Sequence, residues 1–480
     1  MHKTYDVIVA GGGPAGLCAA VAAARNGARV LLVERYGFLG GNATASLVGP
    51  WMTFHSSPEV QVVEGLPEEI VRRLREIGGT LGHVRDTTGY VPTVTPFDAE
   101  ALKFVAMELC AEAGVELLLH SVVTGVVSEG DALQGIVVHN KSGRMELDAR
   151  VVIDATGDGD VAVLAGAEFQ QGRREDGLTQ PLTLMFKLGN VDLSAVRAYM
   201  KANPEDFYRR TVWESVDSQP HLSVNGFYSK LAEAMQAGEL NLQRDMVLFF
   251  QTVHPDEVTV NMTRVQGLDA TDAWQLTRAE VELRRQVMEL VRFFRSRIPG
   301  FAGARLISTG VQAGVRESRR IMGDYLLTGE DILSGRHFDD VAARFAYPID
   351  IHDPAGSSTR TIRPRCGSYE IPLRTMLPRG LRGLMVAGRC ISCTHEALAA
   401  IRLMPSAMAL GQAAGTAAAM AVAGGVDVRA VDMAALRQRL MAQGANLAHA
   451  AAVAPGAEGD EEMSGSAAAG KRENGSVRGL

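Results

Sequence analysis

The feature that most restricts what this chain can become is Gly11-x-Gly13-x-x-Gly16, set between an apolar stretch at 5–10 and an alanine-rich stretch at 15–26. The first stretch reads as a short buried strand and the second as a helix ending at Gly27; residues 29–33 read as another buried strand. Strand, glycine turn, helix and strand make a βαβ unit, so a parallel sheet is expected from the N-terminus onward. Gly11 permits the tight turn, Gly13 lets the backbone approach a diphosphate, and Gly16 lets the helix lie close on the sheet. Pro14 and Ala15 open the helix, whose free N–H groups and positive end suit that diphosphate. Glu34 ends the second strand, where a carboxylate accepts from ribose hydroxyls and repels a 2′-phosphate. An adenosine with a free 2′-hydroxyl is expected, and the motif alone leaves NAD and FAD open.

The 480 residues allow several domains. Lys and Arg number 48 against 55 Asp and Glu, a net charge of −7, so no basic surplus exists for a phosphate backbone and nucleic acid is not an expected partner. Five scattered cysteines, an odd count, fit a reducing compartment better than a disulfide framework. The apolar run at 7–24 is broken by Gly11-Gly12-Gly13-Pro14 and lacks a basic leader, so it is not read as a secretory signal. The run at 403–424 is long enough to cross a bilayer. It is alanine-rich, weakly apolar and without flanking Trp or Tyr, so a buried helix and no membrane span are expected. The chain reads as soluble, cytoplasmic and bacterial.

Helical spacing is found at 67–77 and 96–113. Segments 115–120, 122–128, 133–139 and 144–147 follow as an antiparallel meander, with turns at 130–131 and 141–143. A buried strand at 151–153 then runs into Asp154-Ala155-Thr156-Gly157-Asp158. Residues 170–370 differ in character, with polar loops, two of the three Trp and a strongly helical stretch at 271–297. The strand at 384–387 and the long alanine-rich helix return to the pattern of the N-terminal region. The expected fold class is α/β: a Rossmann-like FAD-binding domain, with a parallel sheet and an antiparallel β-meander, carrying an inserted α+β substrate or cap domain. The expected boundaries are 1–168 and 379–430 for the two parts of the dinucleotide domain and 169–378 for the insert. A C-terminal helix is expected at 431–452, and 453–480 is too poor in apolar residues to fold.

Three features favour FAD over NAD: the meander standing where a second mononucleotide half would begin, the strand into Asp154, and the late strand–turn Leu384 to Arg389 with its helix. With the N-terminal motif, they resemble the FAD-dependent oxidoreductases of the glutathione-reductase-like fold. More narrowly, the chain resembles the bacterial FAD-dependent oxidoreductase family, related to fumarate-reductase-type flavoproteins. That likeness rests on the segments 38–44, 316–321, 347–352 and 388–397, and covers roughly residues 3–425. It implies that Gly11, Gly13, Pro14, Ala15, Gly16, Glu34 and Arg35 hold the ADP half. Gly40 and Gly41 would border the ribityl chain, and Val123 would give adenine a backbone contact. Ala155, Thr156 and Gly157 would lie near the diphosphate, and Gly388 and Arg389 near the flavin. Free N–H groups at the helix start near Met404 and Pro405 would face the N1–C2=O edge of the flavin. Gly411 and Gly415 would keep that helix close to its neighbours.

Hydride transfer needs a substrate held at the flavin and, where an O–H or N–H proton leaves, a base. His395 with Glu396 follows the Gly388-Arg389 turn and is a candidate, against the reading of a loop histidine. His352, in a polar loop, is a second candidate, against a turn-stabilising cluster. Arg316, with Arg319 and Arg320, would clamp a carboxylate as arginines do in the fumarate-reductase relatives, or form ion pairs with Glu317. Cys390-x-x-Cys393 raises dithiol exchange, but its position after the late strand makes Cys393 an incidental residue. No metal-site spacing is present. The expected function is hydride transfer between a small organic substrate and flavin N5, by a dehydrogenase or oxidase. The alternatives are a monooxygenase, disfavoured by Gly388-Arg389 where those enzymes carry Gly-Asp, and an electron-transfer subunit. The electron acceptor is unknown, and homo-oligomer formation is left open.

Overall fold

The computed structural model describes residues 4–448 and the backbone of Glu461–Met463. The chain opens with β1 (Thr4–Ala10), α1 (Pro14–Arg25) and β2 (Val30–Val33). α2 (Ala99–Ala113) follows, started by Asp98, whose side chain accepts from the Ala101 N–H. That cap, rather than Pro96, sets the helix start. Next come β3 (Glu116–Leu118), β4 (Val122–Glu129), β5 (Ala132–Asn140) and β6 (Gly143–Asp154).

The expected strands at 144–147 and 151–153 are one strand. Asp148 and Arg150 in β6 look like a polar break in the sequence, but they alternate with buried Leu147, Ala149 and Val151 and so occupy the outer face of continuous extended chain. The first half of β6 pairs antiparallel with β5, and its second half runs parallel to β1. β3 pairs parallel with β2, so it belongs to the parallel half and not to the meander.

Within the expected α+β insert, where no individual strand was located in sequence, residues 182–315 build a five-stranded antiparallel sheet. Its strands are β7 (Phe186–Gly189), β8 (Ser223–Gly226), β9 (Val247–Gln251), β10 (Val258–Val260) and, after the long helix α3 (Ala273–Arg297), β11 (Arg305–Thr309). An apolar core from Leu182 to Ala313, including Phe249, Phe294 and Phe301, lies between this sheet and α3. The residues from Ile321 to Leu377 pack instead into the core of the parallel sheet. The end of this second core therefore falls about sixty residues short of the expected insert boundary at 378.

β12 (Ile349–His352) and β13 (Thr359–Ile362) form a hairpin, so His352 sits on a strand rather than in a loop. β14 (Leu384–Val386) completes the main sheet against the second half of β6. Then come α4 (His395–Ile401), α5 (Met404–Gly424) and α6 (Met433–Ala442), the last shorter than the expected helix at 431–452. Most of the expected tail at 453–480 lies outside the described residues. The backbone of Glu461–Met463 pairs with β13, a strand segment within a stretch expected to hold none.

α5 is long and apolar enough to cross a membrane, but most of it is buried, chiefly against α1. A Cβ on Gly411 would stand 2.0 Å from Ala15 O, and one on Gly415 2.1 Å from Ala19 O. Two glycines one turn apart thus bring the helix backbones together, as expected.

Candidate active site

Two cavities meet at the carboxyl ends of the parallel strands, the position at which open α/β sheets take ligands. The first is a crevice of about 360 Å³. Gly11, with φ near +97°, turns the chain out of β1; a Cβ on Gly16 would stand 1.8 Å from Gly11 O, so Gly16 brings α1 onto the turn without lining the crevice. Gly13 differs, because a Cβ there would meet only Gly41 Cα, at 3.8 Å, and would project into the crevice. Gly40 is also set back from it, in a left-handed turn whose N–H donates to Gly12 O.

Gly11, Gly13, Pro14 and Ala15 line the crevice from one side, and Glu34, Arg35, Gly41 and Val123 from another. Ala155, Thr156 and Gly157, then Gly388, Arg389 and Met404, complete it. Glu34 is buried, with Oε2 accepting from the Gly12 N–H at 2.7 Å and Oε1 from the Tyr36 N–H at 2.9 Å. α1 and α5 open onto the crevice without a capping side chain, whereas α3, which reaches it at Ala273, is capped by Asp272, and α2 by Asp98. Free N–H groups and an open cradle at Gly13 fit a dinucleotide diphosphate.

Asp154, beneath this wall, accepts from Thr156 and from the Ala162 N–H; burial nevertheless pushes its carboxyl up to about 6. Arg389 binds Asp158 at 2.6 Å and donates to Gly157 O and Val315 O, stapling the late turn to both flanks. The insert contributes Ala273, Leu276 and Glu280 of α3, which the sequence reading missed because they lie on an ordinary amphipathic helix.

The second cavity, of about 170 Å³, shares Asn42, Val315, Arg402 and Met404 with the crevice. Its polar lining centres on Asp350. That carboxylate accepts from Tyr90 Oη at 2.9 Å and Tyr347 Oη at 3.3 Å, and lies 3.3 Å from His352 Nε2 and 3.4 Å from Arg402 Nη2. Burial opposes its ionisation, but His352, Arg402 and Tyr90 outweigh burial and hold it below the usual carboxylate range. His352 is pushed down to about 3 by burial and by Arg316. A neutral ring facing an ionised Asp350 donates from Nε2, leaving Nδ1 to accept from the Thr359 hydroxyl at 3.2 Å.

The arginine cluster divides. Arg319 pairs with Asp160 and Arg320 with buried Glu317, while Arg316 lines the second cavity beside Arg244 and Arg402. Tyr347 and Asp350 lie in the segment 347–352 that carried the family likeness, though no role was read for them; Arg244, Tyr90 and Arg402 escaped the sequence reading, since no spacing joins them to it.

His395 and Glu396 require correction: neither lines either cavity. Thr394 caps α4, and this start turns the His395 ring to Glu317, 2.9 Å away, where it is buried; Glu396 is exposed. The chain reaches the cavities at Arg402 and Met404 instead. Cys390 and Cys393 are buried free thiols, and burial raises Cys393 to about 12, which removes thiolate character.

A sequence model of the family described as FAD dependent oxidoreductase matches residues 6–440. Among curated proteins, thiamine thiazole synthase of Methanococcus maripaludis is 32% identical over 160 residues, which cover 32% of this chain and 55% of that protein. Digeranylgeranylglycerophospholipid reductase of Picrophilus torridus is 30% identical over 169 residues, covering 33% and 40%. The chain thus spans about half the length of the curated relatives it matches. Among solved structures, a geranylgeranyl bacteriochlorophyll reductase-like protein of Thermoplasma acidophilum aligns over 92% of this chain and 84% of its own, at 15% identity and a TM-score of 0.45. The flavin-dependent brominase Bmp2 aligns over 92% and 83%, at 14% identity and a TM-score of 0.45.

Proposed function

Because this chain belongs to the FAD dependent oxidoreductase family, with FAD as its cofactor, we propose that it is an enzyme moving a hydride between a small organic molecule in the second cavity and flavin N5. The observation that carries this reading is the wall of Asn42, Val315, Arg402 and Met404 common to both cavities, across which a cofactor held in the crevice would face a molecule in the second chamber. Bound FAD supplies a centre that accepts or returns a hydride.

The chain's own residues do the rest. Gly11, Gly13, Pro14 and Ala15, with the uncapped start of α1, would hold the diphosphate, and Ala155, Thr156 and Gly157 would close its other side. Glu34 would accept from the ribose, Arg35 and Val123 would border the adenosine, and Gly41 and Gly388 would leave room for the ribityl chain. Gly16 and Gly40 shape the backbone behind them. The N–H groups at the start of α5, by Met404, favour negative charge on the nearest flavin edge. On the substrate side, a leaving proton would be taken by the Thr359 hydroxyl as its own proton passes to His352 Nδ1, with Asp350 opposing the burial and the Arg316 field that disfavour the ring's cation. Ionised Asp350 steadies the cation so formed.

Gly388-Arg389, where flavin monooxygenases carry Gly-Asp, supports dehydrogenase or oxidase chemistry over monooxygenation. A lined chamber beside the crevice supports a substrate-using enzyme over an electron-transfer subunit. Five free thiols accord with a cytoplasmic setting.

A screen of small organic compounds against oxidised, oxygen-free holoenzyme tests this reading. One compound should bleach the flavin absorption, and His352→Asn should keep the flavin while slowing bleaching by about 10²–10⁴-fold. Unchanged bleaching removes His352 from the chemistry, and a colourless protein that refuses added FAD overturns the whole reading.

A further inference from the structure

The second cavity holds more positive charge than its surroundings neutralise. Arg244, Arg316 and Arg402 line it with a single carboxylate, Asp350, whose oxygens already receive two tyrosine hydroxyls, His352 and Arg402. Asp245, beside Arg244, is the other carboxylate whose field reaches that guanidinium. Arg316 is depressed well below its ordinary value, first by burial and then by repulsion from Arg402, Arg244 and Arg264. Arg319 and Arg320, by contrast, have carboxylate partners in Asp160 and Glu317, while buried Arg264 is held by the Asp353 and Gly356 carbonyls.

A guanidinium offers five N–H donors. Arg244 gives one bond, to Asn261 O at 2.9 Å, and its buried Nε has no partner; Arg316 reaches Pro181 O at 2.7 Å and Asn261 Oδ1 at 3.5 Å. Both arginines thus converge on Asn261 with donors unspent, and Arg402 Nε at the seam is likewise unpartnered. Three guanidiniums facing a single carboxylate, in a chamber whose wall also includes Met185, Met246, Leu248 and Phe250, are costly unless an anion joins them. At about 170 Å³ the chamber lies below the ~300–1,000 Å³ usual for drug-sized ligands.

Resting on the proposed flavoenzyme activity, we infer that the substrate is a small organic carboxylate, its charged end between Arg244 and Arg316 at Asn261 and its carbon skeleton directed along the apolar wall toward the seam with the crevice. A planar fork meeting a carboxylate gives paired, charge-assisted bonds that a neutral amide or a spherical anion does not reproduce.

The test is calorimetric titration of the purified chain with benzoate and succinate, set against benzamide and sulfate, with FAD content measured in every sample. At least one carboxylate should bind saturably and more tightly than benzamide or sulfate. Arg244→Gln and, separately, Arg316→Lys should weaken it about 10- to 100-fold with FAD content unchanged. Arg285→Gln, on the exposed face of α3, should leave binding as it was. Equal binding of benzamide or sulfate, or no carboxylate binding by a chain that retains FAD, overturns the inference and leaves the flavoenzyme reading standing. Carboxylate binding by a chain that takes up no FAD supports the anion site and sinks the flavoenzyme reading.

Discussion

The two cavities that meet at Met404 are built by opposite means. The crevice takes its shape from backbone: turns at Gly11, Gly41, Gly157 and Gly388, and two helix starts left uncapped. The second chamber is mostly side chains, sent by the segments around 42–52, 88–90, 183–185, 244–261, 314–316, 347–359 and 402–404. A site made of backbone needs particular residues at fixed offsets, so it is written as a spacing. A site made of side chains exists only once the fold has brought distant segments together.

The largest expected effect breaks the backbone half of that contrast. Gly13→Val places a branched side chain in the crevice, and the purified protein should be folded by circular dichroism and free of FAD. Flavin retained at the wild-type level would mean that the crevice tolerates bulk where its construction forbids it.

Asp350→Ala tests the side-chain half. It leaves Arg402, His352 and the Tyr90 and Tyr347 hydroxyls without their common acceptor, and breaking a buried pair of this kind costs about 3–5 kcal/mol. Denaturant unfolding should show that loss, and a value under ~1 kcal/mol would make Asp350 a bystander.

The smallest effect separates the two regions by the sign of their acid response. His352 falls from 6.5 to about 3 on folding, so between those values the unfolded chain binds more protons. Its contribution to stability, complete above pH ~6.5, is lost as pH drops toward 3. Asp154 rises from 3.8 to about 6, so there the folded chain binds more protons and its contribution grows as pH falls through that window. Midpoints measured from pH 7 to 4 should decline less steeply in His352→Asn and more steeply in Asp154→Asn; parallel curves would contradict both assignments.

Much of the parallel half was readable. Gly11 to Gly16, Glu34 and the β1–α1–β2 order follow from residue type and spacing, as do the glycines that bring α5 onto α1. The five-stranded sheet was not, because its strands are three to five residues long and include Ser223-Val224-Asn225-Gly226, where no alternation can register. His395 misled for a related reason. Its place just after Gly388-Arg389 was legible, but the Thr394 cap that turns its ring to Glu317 is a matter of three-dimensional direction. Arg316 could not be told from Arg319 and Arg320 in sequence, since the three differ only in which carboxylates the fold brings near them.

β6 acquires its last neighbour, β14, only after the whole 182–315 sheet and the β12–β13 hairpin have been made. At ribosomal speeds of about 5–20 residues per second, an open sheet margin should stand exposed on the nascent chain for roughly 10–50 s. The independent core of the intervening segment gives that segment the means to collapse on its own meanwhile. Translation paused before Leu384 should therefore yield a protease-resistant middle within a chain whose N-terminal sheet is still a target for chaperones.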